Sequence, residues 1–296
     1  AINLGGKNLT LENLDVSYMD TVAVLVSGEN VTVSNSRISQ SGSVGISGKG
    51  TAFKITKNRV YRNNTRGFNK WWEAGGMKFI GGTGGVTDSE VSGNTALENF
   101  GDGIWFDTGN HRNVVRDNVA IANRGFGIHY EASYDSAIFS NFVLANQQRG
   151  IYVLEGSGNT IAHNVVIGNE LEGIVVADGG RTNTAEYDYR PKGNTVCGNL
   201  VAWNKHSITL PVEQRDNKSD FNVIVGIWPD YSFDRGWWPT SQREIGLGGW
   251  RSITGQDKNS VLLSLPRNES LIRGFVEKPE EIDFAGLEAT VTSGAA

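Results

Sequence analysis

The chain has 296 residues, a formal net charge of −5 at pH 7, 38 glycines, 6 prolines, 8 tryptophans and one cysteine. Nucleic acid is not expected as a partner, since no basic, aromatic-interleaved stripe is present, and no apolar run approaches the roughly 18 residues of a membrane span. The lone Cys197 excludes an internal disulfide and a zinc cluster, and in "GNTVCGNLV" it reads as a packed small residue.

The opening "AINLGGKNLTLENL" already alternates like a strand, so any signal peptide is expected to lie outside this sequence, and the location to be secreted or periplasmic. A repeat then organises the chain. "LENLDV" and "VSNSRI" stand 22 residues apart, with Ser36 and Ser41 where later copies carry asparagine. The copies "ITKNRVYRN", "VSGNTALEN", "VRDNVAIAN", "IFSNFVLAN", "IAHNVVIGN" and "VCGNLVAWN" place Asn58, Asn94, Asn118, Asn141, Asn164 and Asn199 in one series. Asn63, Asn99, Asn123, Asn146, Asn169 and Asn204 follow five residues on, and both series step by 36, 24, 23, 23 and 35. After the second asparagine of four copies come a glycine and a strand: "GIWFD", "GIHYE", "GIYVL" and "GIVVA".

A unit of about 23 residues with several short strands per turn predicts an all-β chain folded as a single-stranded right-handed parallel β-helix. About nine coils are expected over residues 1–226, with the asparagines hydrogen-bonding up and down the stack. The leucine-rich-repeat pattern is missing. Two segments exceed the period and are expected as loops at 64–76 and 178–193, flanking the sheet made by the G-I strands. Residues 227–296, aromatic and irregular, are expected as a C-terminal extension packed on the solenoid.

Strand side chains alternate, so Ile104, Phe106 and their counterparts should point inward. One outward column is then Lys78, Trp105, His129, Tyr152 and Val175, and the next is Ile80, Asp107, Glu131, Leu154 and Ala177. Two carboxylates on adjacent rungs have backbones about 5 Å apart, and such like charges push one carboxyl's pKa upward. A raised acid beside an ionised carboxylate is the pair that a retaining glycosidase uses. Asp107 is assigned as nucleophile and Glu131 as acid/base. Lys78, His129 and Asp102 are expected to hold the carboxylates or contact sugar hydroxyls. Trp71, Trp72, Trp105, Tyr152, Tyr187 and Tyr189 are candidate platforms for sugar rings, one of Trp71 and Trp72 being structural, and Glu73 is a possible third carboxylate. A surface reading instead pairs the two carboxylates with Arg149, Lys78 or Arg124. No metal or other cofactor is expected, since no tight histidine pair is present.

"GIWFD", followed 24 residues on by the Glu of "GIHYEASYD" and preceded by "EAGGMKF", resembles the β-helix glycoside hydrolases of the family 120 β-xylosidase type, within the pectin-lyase-like superfamily. The resemblance implies an Asp nucleophile and a Glu acid/base at Asp107 and Glu131, with the family's lysine at Lys78. It is specific over residues 73–135, and "WRSITGQDKNS" is similar to an element near the C-terminus of many secreted β-helix sugar enzymes. Tyr134-Asp135 stands where the family has His-Gly, and no β-sandwich insertion is visible. The expected substrate is a β-linked oligo- or polysaccharide, with xylosides as the implied class. A polysaccharide lyase using Lys78, His129 or Tyr152 as base, and a non-catalytic glycan-binding solenoid, are the competing readings. The sequence does not fix the oligomeric state.

Overall fold

The computed structural model describes residues 1–81, 85–211, 216–226, 231–234 and 243–279. Strands stack into three sheets of twelve, nine and ten strands, with the chain passing through each sheet once per coil. Neighbouring strands within the sheets are parallel except at one edge, where residues 231–234 and 243–245 pair antiparallel. Crossovers between parallel strands are overwhelmingly right-handed, which matches the handedness expected from the repeat.

The first sheet carries the G-I strands Gly75–Ile80, Asp102–Asp107, Ile128–Glu131, Ile151–Leu154 and Glu172–Ala177. Its register is that expected from alternation: Lys78, Trp105, His129, Tyr152 and Val175 are successive partners, and so are Ile80, Asp107, Glu131, Leu154 and Ala177. The intervening side chains fill the bore. Phe79, Phe106 and Tyr130 are fully buried, with ring centroids 4.8 and 5.0 Å apart along the axis. Burying such a side chain contributes about 1.5–3 kcal/mol, so each added coil extends a continuous core.

Both asparagine series form ladders at the turns. The Asn141 carboxamide oxygen accepts from the Asn118 backbone N–H and from its side-chain amide, both at 3.0 Å, while the same amide donates to the Val91 carbonyl at 2.8 Å. The ladders satisfy turn backbone that the sheets leave unpaired. The glycine before each G-I isoleucine has a steric cause: a Cβ on Gly127 would stand 2.3 Å from Val143 and 2.8 Å from the Asn146 amide.

Strand pairing runs past Gly226 into the segment expected as an extension. Residues 231–234 join the first sheet, and Val261–Leu263 joins the third. Between them the helix Leu247–Thr254 buries Trp250, whose indole N–H donates to Asp257 at 2.7 Å. Asp257 also accepts from Ser219 and Ser260, and Ser260 takes the Asn222 backbone N–H at 2.8 Å, continuing the ladder one coil further. A second helix, Glu269–Glu277, packs on the third sheet through Ile272 and through Phe275, edge-on to Phe142. Residues 227–230, 235–242 and 280–296 of the expected extension lie outside the described residues. Among the described residues no helix is long and apolar enough to cross a membrane.

Candidate active site on the outer face of the first sheet

Asp107 and Glu131 are direct Cα partners on neighbouring strands, a spacing of about 4.8 Å. Both point outward, and each carboxylate has its own cation. Lys78 Nζ lies 2.9 Å from Asp107 Oδ2, and Arg181 donates to Glu131 Oε1. The pairing of Asp107 with Lys78 follows from the fold, since Lys78 stands one rung below and two residues before it. Arg181 comes from the loop after Glu172–Ala177, which folds back over two coils.

The column beside the carboxylates is a continuous stack. Lys78 Nζ sits 3.4 Å over the Trp105 ring, Trp105 stacks on His129 at 4.9 Å, and His129 stacks on Tyr152 at 5.1 Å. Burial lowers the Lys78 pKa, and the charge of Asp107 partly offsets it. His129 is held from behind: its Nδ1 is 3.0 Å from Asp102 Oδ2, and its Nε2 points at Glu131 Oε2 across 3.6 Å. That Nε2 is buried and has no hydrogen-bond partner within bonding distance. A protonated histidine would give both neighbouring carboxylates a charged donor.

Several expected roles change in the structure. Asp102 is buried, accepting the Phe126 N–H at 2.8 Å and orienting His129, so it supports the site from beneath and does not face a sugar. Trp105 also points outward yet is 3% exposed, both ring faces being covered by Lys78 and His129. It therefore offers no open platform. Outward does not mean exposed here, because the loop before Gly75–Ile80 lies over this column; Lys78 donates to the Trp72 carbonyl. Of the surface pairings considered for the carboxylates, only that of Lys78 forms. Arg149 pairs with Glu172 at 2.8 Å, and Arg124 lies 4.3 Å over the Phe100 ring.

The remaining aromatics border this column. Trp71, 52% exposed, meets Phe126 edge-on at 5.9 Å and Trp72 is 74% exposed, so both indoles present surface to solvent and Trp71 also braces the loop. Tyr152 is half-buried, with the Arg149 guanidinium 4.6 Å over its ring. Glu73 is exposed at the end of the same loop. Tyr187 lies parallel to Tyr134 at 6.4 Å and next to Tyr189 at 6.0 Å, past the C-terminal end of the carboxylate strands. The two expected loops thus border the same face from its two ends.

Sequence reasoning missed two residues of this face, Arg181 and Glu155. Glu155 has no exposed surface; its Oε1 accepts the Arg181 backbone N–H at 2.9 Å, and its Oε2 lies 3.0 Å from Arg181 Nε as an ion pair without a hydrogen bond. Burial pushes its pKa up to about 7 against the backbone donors Arg181 and Gly179, so the raised carboxyl of this region is Glu155. The available signal was a carboxylate directly after "GIYVL", one position past the strand alternation. Among the described residues no group of three or more His, Cys, Asp or Glu side chains is placed to hold a metal ion.

Comparison with known proteins supports the architecture. A family model described as right handed beta helix region matches residues 1–141. No curated protein matches the chain. Among solved structures, the Dettilon tailspike protein is similar at TM-score 0.57 and 16% identity, over 74% of this chain and 52% of that one. A periplasmic alginate epimerase, AlgG, is similar at TM-score 0.56 and 17% identity, over 71% of this chain and 50% of that one. The alginate lyase from Paenibacillus sp. str. FPU-7 is similar at TM-score 0.55 and 13% identity, over 76% of this chain and 80% of its own. The chain spans about half the length of the first two. At these identities the likeness is one of fold: the chain is a right-handed parallel β-helix of about nine turns.

Proposed function

We propose that this chain is a carbohydrate-active enzyme, a retaining glycoside hydrolase that cleaves β-linked glycans with Asp107 as nucleophile and Glu131 as acid/base. The observation that carries this reading is the pairing of Asp107 with Glu131 on adjacent outward rungs, with Lys78 at the first carboxylate and Arg181 at the second. In a double displacement the nucleophile attacks the anomeric carbon while the acid protonates the leaving oxygen. The same residue then takes a proton from the water that releases the sugar. A gap of about 5–5.5 Å between the carboxyl groups suits that course, and backbones one strand spacing apart are compatible with it. Lys78 orients Asp107. His129, fixed by Asp102, faces Glu131. Exposed Trp72 is the sugar platform, since the Tyr152 ring is covered by His129 and Arg149. The resemblance of residues 73–135 to family 120 β-xylosidases supports the same assignment and makes xylosides the first substrates to try.

A lyase reading on the same fold needs a cation to neutralise a uronate. Lys78, Arg149 and Arg181 each already face a carboxylate, which favours a neutral sugar over a uronate. The test is a screen of aryl β-glycosides and oligosaccharides with the wild type, Asp107→Ala and Glu131→Ala. Hydrolysis by the wild type with loss in both variants supports the assignment. Unsaturated products absorbing in the near ultraviolet would establish a lyase instead. Sugar binding without turnover, unchanged in both variants, would establish a non-catalytic glycan-binding solenoid.

A further inference from the structure

One feature of the site works against the chemistry proposed for it. Glu131 must carry a proton when the leaving oxygen needs one, yet Arg181 sits on its carboxylate, and an arginine in contact favours the ionised form of any carboxyl. The same guanidinium also holds a second carboxylate: its Nε is 3.0 Å from Glu155 Oε2. Glu155 occupies a left-handed turn position at φ 56°, directly after the strand Ile151–Leu154. It is closed in by the start of the Arg181 loop, where a Cβ on Gly179 would fall 2.5 Å from Glu155 Oε1. A buried carboxylate with no exposed surface, locked to the loop by a backbone N–H and a guanidinium, is more than the loop's attachment requires.

We propose that Glu155 is a positioning residue that shares Arg181 with Glu131, so that the guanidinium is divided between the two while Glu155 is ionised and passes to Glu131 once Glu155 takes up a proton. The role in turnover rests on the hydrolase reading; the competition itself does not. The charged and titratable groups around the three are few. His129 and Asp107 face Glu131 from their strands, Asp178 acts on Glu155 from the start of the loop, and Tyr189 lies 5.5 Å from the Arg181 guanidinium. Lys78 is engaged with Asp107. Arg181 is therefore the cation that the two glutamates share. When one glutamate is neutral the guanidinium belongs to the other, which couples their protonation. Burial favours the neutral form of Glu155, which releases the guanidinium to Glu131.

The test is a carboxyl-carbon NMR titration of protein labelled with glutamate carrying carbon-13 at Cδ, with the Glu155 signal assigned by its loss in Glu155→Gln. Glu131→Gln keeps an oxygen for Arg181 but removes the competing charge. The Glu155 titration should then move down by about one unit, a tenfold change in its acid constant. Arg181→Gln, a change on a partly exposed loop side chain, should move it up and provides the readout if Glu131→Gln does not fold. With an active substrate, the kcat/KM profile should lose in Glu155→Gln the inflection at the Glu155 midpoint, which a purely structural role would not produce. A Glu155 titration unchanged in both Glu131→Gln and Arg181→Gln overturns the proposal. The titration needs no turnover. A shifted midpoint in a protein that cleaves no glycoside would leave the competition standing and remove the hydrolase reading.

Discussion

Lys78 Nζ stands 2.9 Å from Asp107 Oδ2 and 3.4 Å above the Trp105 ring, so one buried ammonium orients the candidate nucleophile and closes the aromatic stack beneath it. Replacing it with methionine keeps the apolar stem but removes the charge on Asp107. Lys78→Met is expected to lower kcat/KM on an aryl glycoside by about 10²-fold, the usual scale for losing one electrostatic contact at a reacting centre. Its melting temperature should hold or rise, because burial already disfavours the charged lysine. Steady-state kinetics and a thermal melt on the same preparation check both.

Trp72 separates binding from chemistry. Its ring is 74% exposed, so Trp72→Ala should leave the melting temperature unchanged. If the ring is a sugar platform, KM should rise by roughly five- to tenfold at constant kcat, about 1–1.4 kcal/mol of uniform binding. Trp71→Ala, which removes the contact with Phe126, should instead lower kcat by loosening the loop that covers Lys78.

Glu155 gives the fold a pH dependence of definite sign. Its carboxyl is raised from 4.5 to about 7 by burial. A group raised on folding contributes stability that is full below the unfolded value and lost as pH rises through the folded one. The melting temperature should therefore fall between about pH 5 and pH 8, and Glu155→Gln should flatten that fall. Differential scanning calorimetry of the two proteins across this range measures the difference.

The turn ladders hold the coils in register. The buried Asn118 side chain bonds to Asn141 and Val91 and accepts two donors from Asn94, at 2.8–3.0 Å. Asn118→Ala leaves those partners unsatisfied, at about 1–3 kcal/mol for each buried group. A loss of about 3 kcal/mol or more in urea unfolding is expected.

The legible part of this chain was whatever repeats. Asparagine spacing and G-I strands gave the coil, and alternation gave the register of Asp107 on Glu131. A third ladder through Asn113, Ser136, Asn159, Asn194 and Asn217 escaped notice, because serine interrupts it and the insertion at 178–193 breaks its step. Trp105 was placed on the correct face but is covered there, since alternation gives a direction and not what covers it. Arg181 was not legible at all. Where the tip of a non-repeating loop comes to rest is decided by packing, and here it rests on a carboxylate 50 residues away in sequence.

The pairing of Asp107 and Glu131 as nucleophile and acid/base is tested most directly by azide rescue on an activated aryl β-glycoside, with the configuration of the glycosyl azide read by proton NMR. Asp107→Ala should be rescued to give the α-azide, because azide attacks from the face the aspartate vacated. Glu131→Ala should give the β-azide by trapping the glycosyl-enzyme. Full unassisted turnover by Asp107→Ala, or the same azide configuration from both variants, would contradict the assignment.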